Sequence, residues 1–235
     1  MYEIIKEKLV TNMAEALCEK EASVTSFFQQ GPAGLDNLQL LFHVFRHNDT
    51  TFEYIIRKMS PYVLQRGEDI VNKEEYIKDA NLFMQNLLAF KAEIDHMVRY
   101  SFDNVMVFQK ARDKDFTQFM NTQQFTPSYM ALFADLQLRK DLKGKTDDEV
   151  HDILDSLIRL FCCLHGRDVF LKAYEKELAE RLLDKSYLSM EYEEYLIGKL
   201  KVECGTNQVG KMVGMVKDIT GSSEVQSEYF NAIQS

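Results

Sequence analysis

The sequence predicts an all-α fold, and three observations carry that expectation. Apolar residues recur at spacings of three, four and seven along almost the whole chain, which gathers them on one face of each helix. No stretch shows the period-two alternation or β-branched enrichment of strands. Proline, glycine and capping residues fall where the apolar stripes start and stop.

The elements follow in chain order. The opening segment sets Ile5, Leu9, Met13 and Leu17 on one stripe. Gly31-Pro32-Ala33-Gly34 breaks the chain before a helix carrying Leu35, Leu38, Phe42 and Phe45. The next stripe, Phe52, Ile55, Ile56, Met59 and Val63, contains Ser60-Pro61. An interior proline removes a hydrogen bond, so a kink is expected there. One long helix is expected from Lys73 to about Phe102, with Tyr76, Phe83, Leu87, Phe90, Ile94, Met97 and Val98 inward. Thr126-Pro127 predicts an N-cap with proline at the first helical position, ahead of a helix over Tyr129 to Leu142. Thr146-Asp147-Asp148-Glu149 has the pattern of a capping box. Asp168 is placed to cap a helix holding Leu171, Tyr174, Leu178 and Leu182. Lys199 and Lys201 fall in the last turn of a helix closed by Gly205, as the macrodipole and a left-handed cap favour. A final stripe of Val209, Met212, Val213, Val216 and Ile219 is expected to end at Gly221.

Composition narrows the function. The chain has 235 residues, 46% apolar and 28% charged, an ordinary globular balance. Its net charge of −9 repels phosphate backbones, so no nucleic-acid partner is expected. Four cysteines, Cys18, Cys162, Cys163 and Cys204, are too few and scattered for a disulfide framework and read as buried thiols in a reducing compartment. The first residues carry charge where a signal peptide needs an apolar stretch, and nothing approaches the roughly 18 apolar residues of a membrane span. The expected address is cytoplasmic or nuclear, away from membranes.

Each candidate for chemistry fails on its own terms, so neither catalytic residue, metal nor cofactor is expected. Gly205-Thr206-Asn207-Gln208-Val209-Gly210-Lys211-Met212 satisfies the phosphate-loop pattern until its last position, where Met212 replaces the magnesium-binding Ser or Thr. Tyr192, Leu196 and Leu200 lead into it at helical spacing, where the motif needs a strand. His43 and His47 have the spacing of two zinc ligands, but Val44 stands where a general base would and no third ligand is evident. Cys162 and Cys163, near His165, point about 100° apart if helical and read as small packing residues. The acidic runs Asp147-Asp148-Glu149 and Glu191-Tyr192-Glu193-Glu194 read as solvated helix starts.

Two stretches then carry a resemblance. The first is Ser101-Phe102-Asp103-Asn104, Phe108-Gln109-Lys110-Ala111, Phe116 and Phe119-Met120-Asn121, continuing through Thr126-Pro127-Ser128-Tyr129, Leu138-Arg139-Lys140 and Gly144-Lys145. The second runs from Asp148-Glu149-Val150 through Leu160-Phe161, Arg167-Asp168-Val169-Phe170, Tyr174, Leu178-Ala179 and Arg181-Leu182-Leu183. It then takes in Lys185-Ser186, Lys199-Leu200-Lys201, Glu203-Cys204-Gly205, Met215 and Asp218. Together they resemble the cullin family, the scaffolds of multi-subunit ubiquitin ligases, most closely its cullin-3-like branch, which uses BTB-domain adaptors. Glu180, Cys162-Cys163 and Asn207-Gln208-Val209-Gly210 depart from the family pattern.

The resemblance implies a stacked helical bundle. Residues 1–145 would hold the tail of one cullin repeat and the last five-helix repeat, and 146–235 the first helices of the cullin homology region. It implies a non-catalytic scaffold that binds ligase subunits in ubiquitin-dependent protein catabolism. The family's main sites for the adaptor and the RING subunit would lie outside this stretch. The residues carrying the role would be packing residues, Phe102, Phe108, Phe116, Phe119, Phe161, Phe170, Tyr174, Leu182 and Leu200, with Asp168, Arg181, Lys199, Cys204 and Gly205 as further motif positions. A free-standing helical adaptor or truncated decoy is the alternative, and a phosphate-loop nucleotide hydrolase a distant third.

Overall fold

A computed structural model describes residues 21–46 and 51–234, and every regular element among them is helical. In order these are α1 (Glu21–Phe27), α2 (Pro32–Phe45), α3 (Phe52–Val71), α4 (Glu74–Ile77), α5 (Ala80–Ser101) and α6 (Met106–Met120). Then come α7 (Thr126–Leu136), which runs on as a π-turn over Gln137–Asp141, α8 (Asp147–Phe161), α9 (Arg167–Leu183), α10 (Met190–Cys204) and α11 (Thr206–Gln234). The stripe from Ile5 to Leu17 and His47 lie outside the described residues. The helices form two compact units: one holds the positions up to Glu74 with Asn86–Thr122, the other Glu75–Gln85 with Gln123 onward.

The first unit is built on α3 against α6. Its buried positions on α3, Phe52, Ile55, Met59, Val63, Gly67 and Val71, keep three- and four-residue spacing straight through Pro61. The proline sits at an exposed position inside an uninterrupted helix, so it does not restart the element. Phe42, Phe52, Phe102 and Phe108 form one ring cluster, with Phe102 stacked on Phe108 at 4.2 Å. Phe90, Phe116 and Phe119 form a second.

At Gly67 the two helices approach closely, because a Cβ there would lie 2.4 Å from the Phe119 ring. Alanine is the better helix former by about 1 kcal/mol, but overpacking costs about 1–3 kcal/mol. Gly67→Ala is therefore expected to lower the urea midpoint; a raised midpoint would mean that α3 and α6 separate freely.

The long helix expected from Lys73 is two elements. Tyr76 belongs to α4, and the chain breaks before Asp79, whose carboxylate accepts from Asn81 N at 2.8 Å and Leu82 N at 3.1 Å to start α5. That Asp cap lay within an apolar periodicity that ran across it. The helix at Thr126 also starts one residue earlier than expected: Phe125 is the N-cap, and Thr126 and Pro127 are already helical.

Asp115 on α6 is an energetic oddity. Its side chain is 3% exposed and hydrogen-bonds Ser60, while Oδ2 has no hydrogen-bond partner. Burial raises its carboxyl above the ordinary range, against the opposing pull of Ser60 and Lys114. A folded-state value above the unfolded one means that the native state holds the proton more tightly. Stability from this group is full below the unfolded value, about 4, and falls as pH rises through the folded value. Asp115→Asn is expected to stabilise the chain by about 1 kcal/mol at pH near 7 and by less under acidic conditions. Urea midpoints of both proteins across that range would check this, and a constant difference would refute it.

Candidate functional site

The second unit centres on buried charge. Along α9, Phe170, Tyr174, Leu178 and Arg181 follow one another at helical spacing on the face turned to the core. Arg181 is fully buried, and its side chain forks onto Glu193 of α10, with Nε to Oε1 and Nη2 to Oε2 both 2.8 Å. Its Nη1 donates to Asp135 of α7 at 2.7 Å. The Tyr174 hydroxyl donates to Glu193 Oε2 at 3.1 Å, and the guanidinium lies over the Tyr174 ring at 5.3 Å. Asp135 in turn accepts from Arg139 Nε at 2.9 Å, and Arg139 reaches the hydroxyl of Ser186.

Local structure explains how the chain delivers these groups. Past Asp184, Lys185 adopts φ +53°, Ser186 N donates to Arg181 O at 3.0 Å and Lys185 N to Leu182 O at 3.4 Å. That is a Schellman ending with lysine in the left-handed position, and it presents the Ser186 hydroxyl to Arg139. The π-turn after α7 shifts the hydrogen bonding, with Leu142 N on Gln137 O, and Leu138 O accepts from Leu188 N at 3.0 Å. Ser189 caps α10, so Glu193 comes one turn in and faces the core with Leu196, Ile197 and Leu200.

The electrostatics are balanced. Burial works against the charge on Arg181, but hydrogen bonding to Glu193 and Asp135 and the negative charge of Glu193 hold its pKa above the ordinary value. Burial, then the Glu193 charge, push the Tyr174 phenol well above its usual range, which keeps it a donor. Each nitrogen of Arg181 and both oxygens of Glu193 make a hydrogen bond within the cluster. The arrangement therefore ties α7, α9 and α10 to one another.

A second polar row runs along α8 and α10. Tyr192 donates to Asp147 at 2.8 Å, His151 stacks on Tyr195 at 4.0 Å, and Tyr195 and Lys199 both reach Asp155 at 2.9 Å. Cys162 ends the row by donating to Glu203 at 3.2 Å. Burial and then Glu203 push the Cys162 thiol up to about 12, which removes the thiolate that nucleophilic chemistry requires.

The residues singled out in the sequence sort into two groups. Phe102, Phe108, Phe116 and Phe119 are buried in the first unit, and Phe161, Phe170, Tyr174, Arg181, Leu182 and Leu200 in the second. Asp168 is exposed and does not cap α9; Gly166 is the N-cap, and Asp168 lies in the first turn, 4.0 Å from Lys172. Lys199 belongs to the polar row, a turn before the helix end, and only Lys201 occupies the last turn. Cys204 is half-buried. Gly205 has φ +84° with ψ 160°, a sharp break where an αL cap was expected.

Other expectations need correction. Glu193 is the heart of the ion cluster, not part of a solvated helix start. Cys162 follows the last residue of α8 and keeps helical dihedrals, φ −61° and ψ −24°, and Cys163 beside it is buried. The phosphate-loop pattern, by contrast, stands as the sequence indicated: it joins α10 to α11 where a strand is required, with Met212 fully buried and Lys211 3.5 Å from Glu175. Helix α11 continues through Gly221. A usable sequence signal for the cluster did exist: opposite charges occupy inward positions on two consecutive apolar faces, Arg181 after Tyr174 and Leu178, and Glu193 before Leu196 and Leu200.

Among the described residues no group of three or more His, Cys, Asp or Glu could hold a metal ion, and no helix is long and apolar enough to cross a membrane. A family model described as the cullin alpha solenoid domain matches residues 1–226. The chain is 31% identical over 233 residues to Cullin-3 of Dictyostelium discoideum, covering 99% of this chain and 30% of that protein. It is 31% identical over 238 residues to Cullin-3A of Arabidopsis thaliana, covering 97% and 31%. Cullin-4A of Mus musculus is 34% identical over 181 residues, covering 77% and 24%. The chain thus spans about a third of the length of the curated relatives it matches.

Proposed function

This chain belongs to the cullin family, and from that premise we propose that it is a scaffold segment of a ubiquitin ligase, non-catalytic itself. The observation that carries this reading is the fate of the motif residues. The phenylalanines, Tyr174, Arg181, Leu182 and Leu200 are spent on packing and on a closed ion cluster, so what they supply is a fixed arrangement of helices. A segment that keeps its helices in place sets the separation between groups bound at its ends, and such separation acts through effective concentration.

In this reading residues 1–145 are the end of the cullin repeats, and 146–235 open the cullin homology region. The partners, a RING-type subunit and BTB-type adaptors, bind elsewhere in the assembly. The setting is cytoplasmic or nuclear.

The test is to express the chain in its full encoded context and measure subunit capture and ubiquitin transfer together. A long flexible Gly/Ser insertion at Gly144, in the exposed turn before α8, is expected to slow transfer while ligase subunits still co-purify. Failure to recover any ligase subunit with the uninterrupted protein would refute the scaffold reading and favour a free-standing adaptor. Unchanged transfer after insertion would refute the spacing role.

A further inference from the structure

In the second unit a groove of about 260 Å³ runs between the end of α9 and the middle of α11. Ala179, Leu182 and Leu183 form one wall, and Met215, Asp218 and Ile219 the other. Each wall repeats the i, i+3, i+4 spacing, so each is a single helical face turned toward the cleft.

Three of these six residues stand out. Leu183, Met215 and Asp218 all fall in the stretches that carry the family resemblance, yet packing within the unit does not account for them. Leu183 is 77% exposed, Met215 is half-buried and Asp218 is exposed. Their neighbours Leu182, Met212 and Val216 are buried. An apolar cleft flanked by a leucine left in water is a surface suited to contact with another molecule.

The charge of the groove narrows the partner. Among the described lining residues Asp218 is the one charged side chain. The same end holds the C-terminus of α9, the negative end of that helix, whose last helical residue is Leu183. The cations nearest along the chain, Lys217 beside Asp218 and Lys185 past the end of α9, are not among the described lining residues. A positive group is therefore favoured on two counts, above a floor that takes aliphatic side chains.

We propose that this groove receives an amphipathic helix of a partner protein, its apolar residues filling the cleft and a lysine or arginine set against Asp218.

The probe is a fluorescent synthetic helix with leucines at helical spacing and one flanking lysine, compared by anisotropy with a twin carrying glutamate in its place. The lysine peptide is expected to bind the chain saturably. L183E is expected to weaken it by about tenfold or more, as loss of a central apolar anchor does. D218K is expected to invert the preference, weakening the lysine peptide and strengthening its twin, with the difference shrinking as salt is added. Both substitutions are at exposed positions, and unchanged thermal unfolding would show that the fold is kept. Absence of saturable binding, or binding indifferent to D218K, overturns the proposal. A concentration-dependent dimer in sedimentation, abolished by L183E, also overturns it by assigning the groove to a second copy of this chain.

Discussion

Replacing Arg181 by methionine is expected to destabilise the second unit by about 3–5 kcal/mol, because it strands Glu193 as a buried, unpaired carboxylate. The size of the effect comes from what is left behind. Methionine fills much of the space along the Tyr174 ring, so little packing is lost. Asp135 keeps Arg139, but Glu193 keeps only the Tyr174 hydroxyl. A triple variant separates the penalty of the orphan from the worth of the pair. With Arg181→Met, Glu193→Leu and Tyr174→Phe combined, no buried polar group is stranded, and stability should return to within about 1 kcal/mol of the parent. Urea unfolding of the two variants checks both halves. An Arg181→Met protein within about 1 kcal/mol of the parent would show that water reaches Glu193 and that the cluster does not lock these helices.

That cluster also marks where the sequence was hard to read. Thr146 could be recognised because its cap is local: the Thr146 side chain accepts from Glu149 N at 3.3 Å, and Glu149 returns a bond to Thr146 N at 2.8 Å, all within four residues. The left-handed pair Asp103 and Asn104, quoted in the sequence only as motif residues, is also local, since short polar side chains tolerate positive φ. Glu193 is the opposite case. A carboxylate in a first helical turn is ordinarily solvated, and what draws it inward is Arg181, twelve residues earlier on another helix. The π-turn at Gln137 has no local signal either; it accompanies a tertiary bond, Leu188 N to Leu138 O. Lys185 occupies a position that usually takes glycine, so the end of α9 carried no glycine to announce it. Features fixed by neighbours in the chain were legible at Thr146 but missed at Asp79 and Lys185, and a feature fixed by a distant partner left only a charge on an apolar face as its trace.

The second large effect is expected at Phe108, which is fully buried and touches three rings. It stacks on Phe102 at 4.2 Å and 13°, meets Phe42 edge-on at 6.0 Å and Phe52 at 5.4 Å. Phe108→Ala removes a whole ring from a packed interior and should cost about 3–5 kcal/mol in urea unfolding. Met106, two residues earlier on the same helix, is 62% exposed, and Met106→Ala should stay within about 0.5 kcal/mol of the parent. Both changes lie on one turn of α6 and shorten a large apolar side chain, so helix propensity cannot separate them. Phe102→Ala alone should cost nearly as much as Phe108→Ala, but the double variant should cost less than the sum. Once either ring is gone, the second no longer has its stacking partner to lose. Strict additivity would place the two rings in independent environments and dissolve the cluster as a cooperative unit. Equal losses for Phe108→Ala and Met106→Ala would mean that α6 does not bury the face on which the first unit depends.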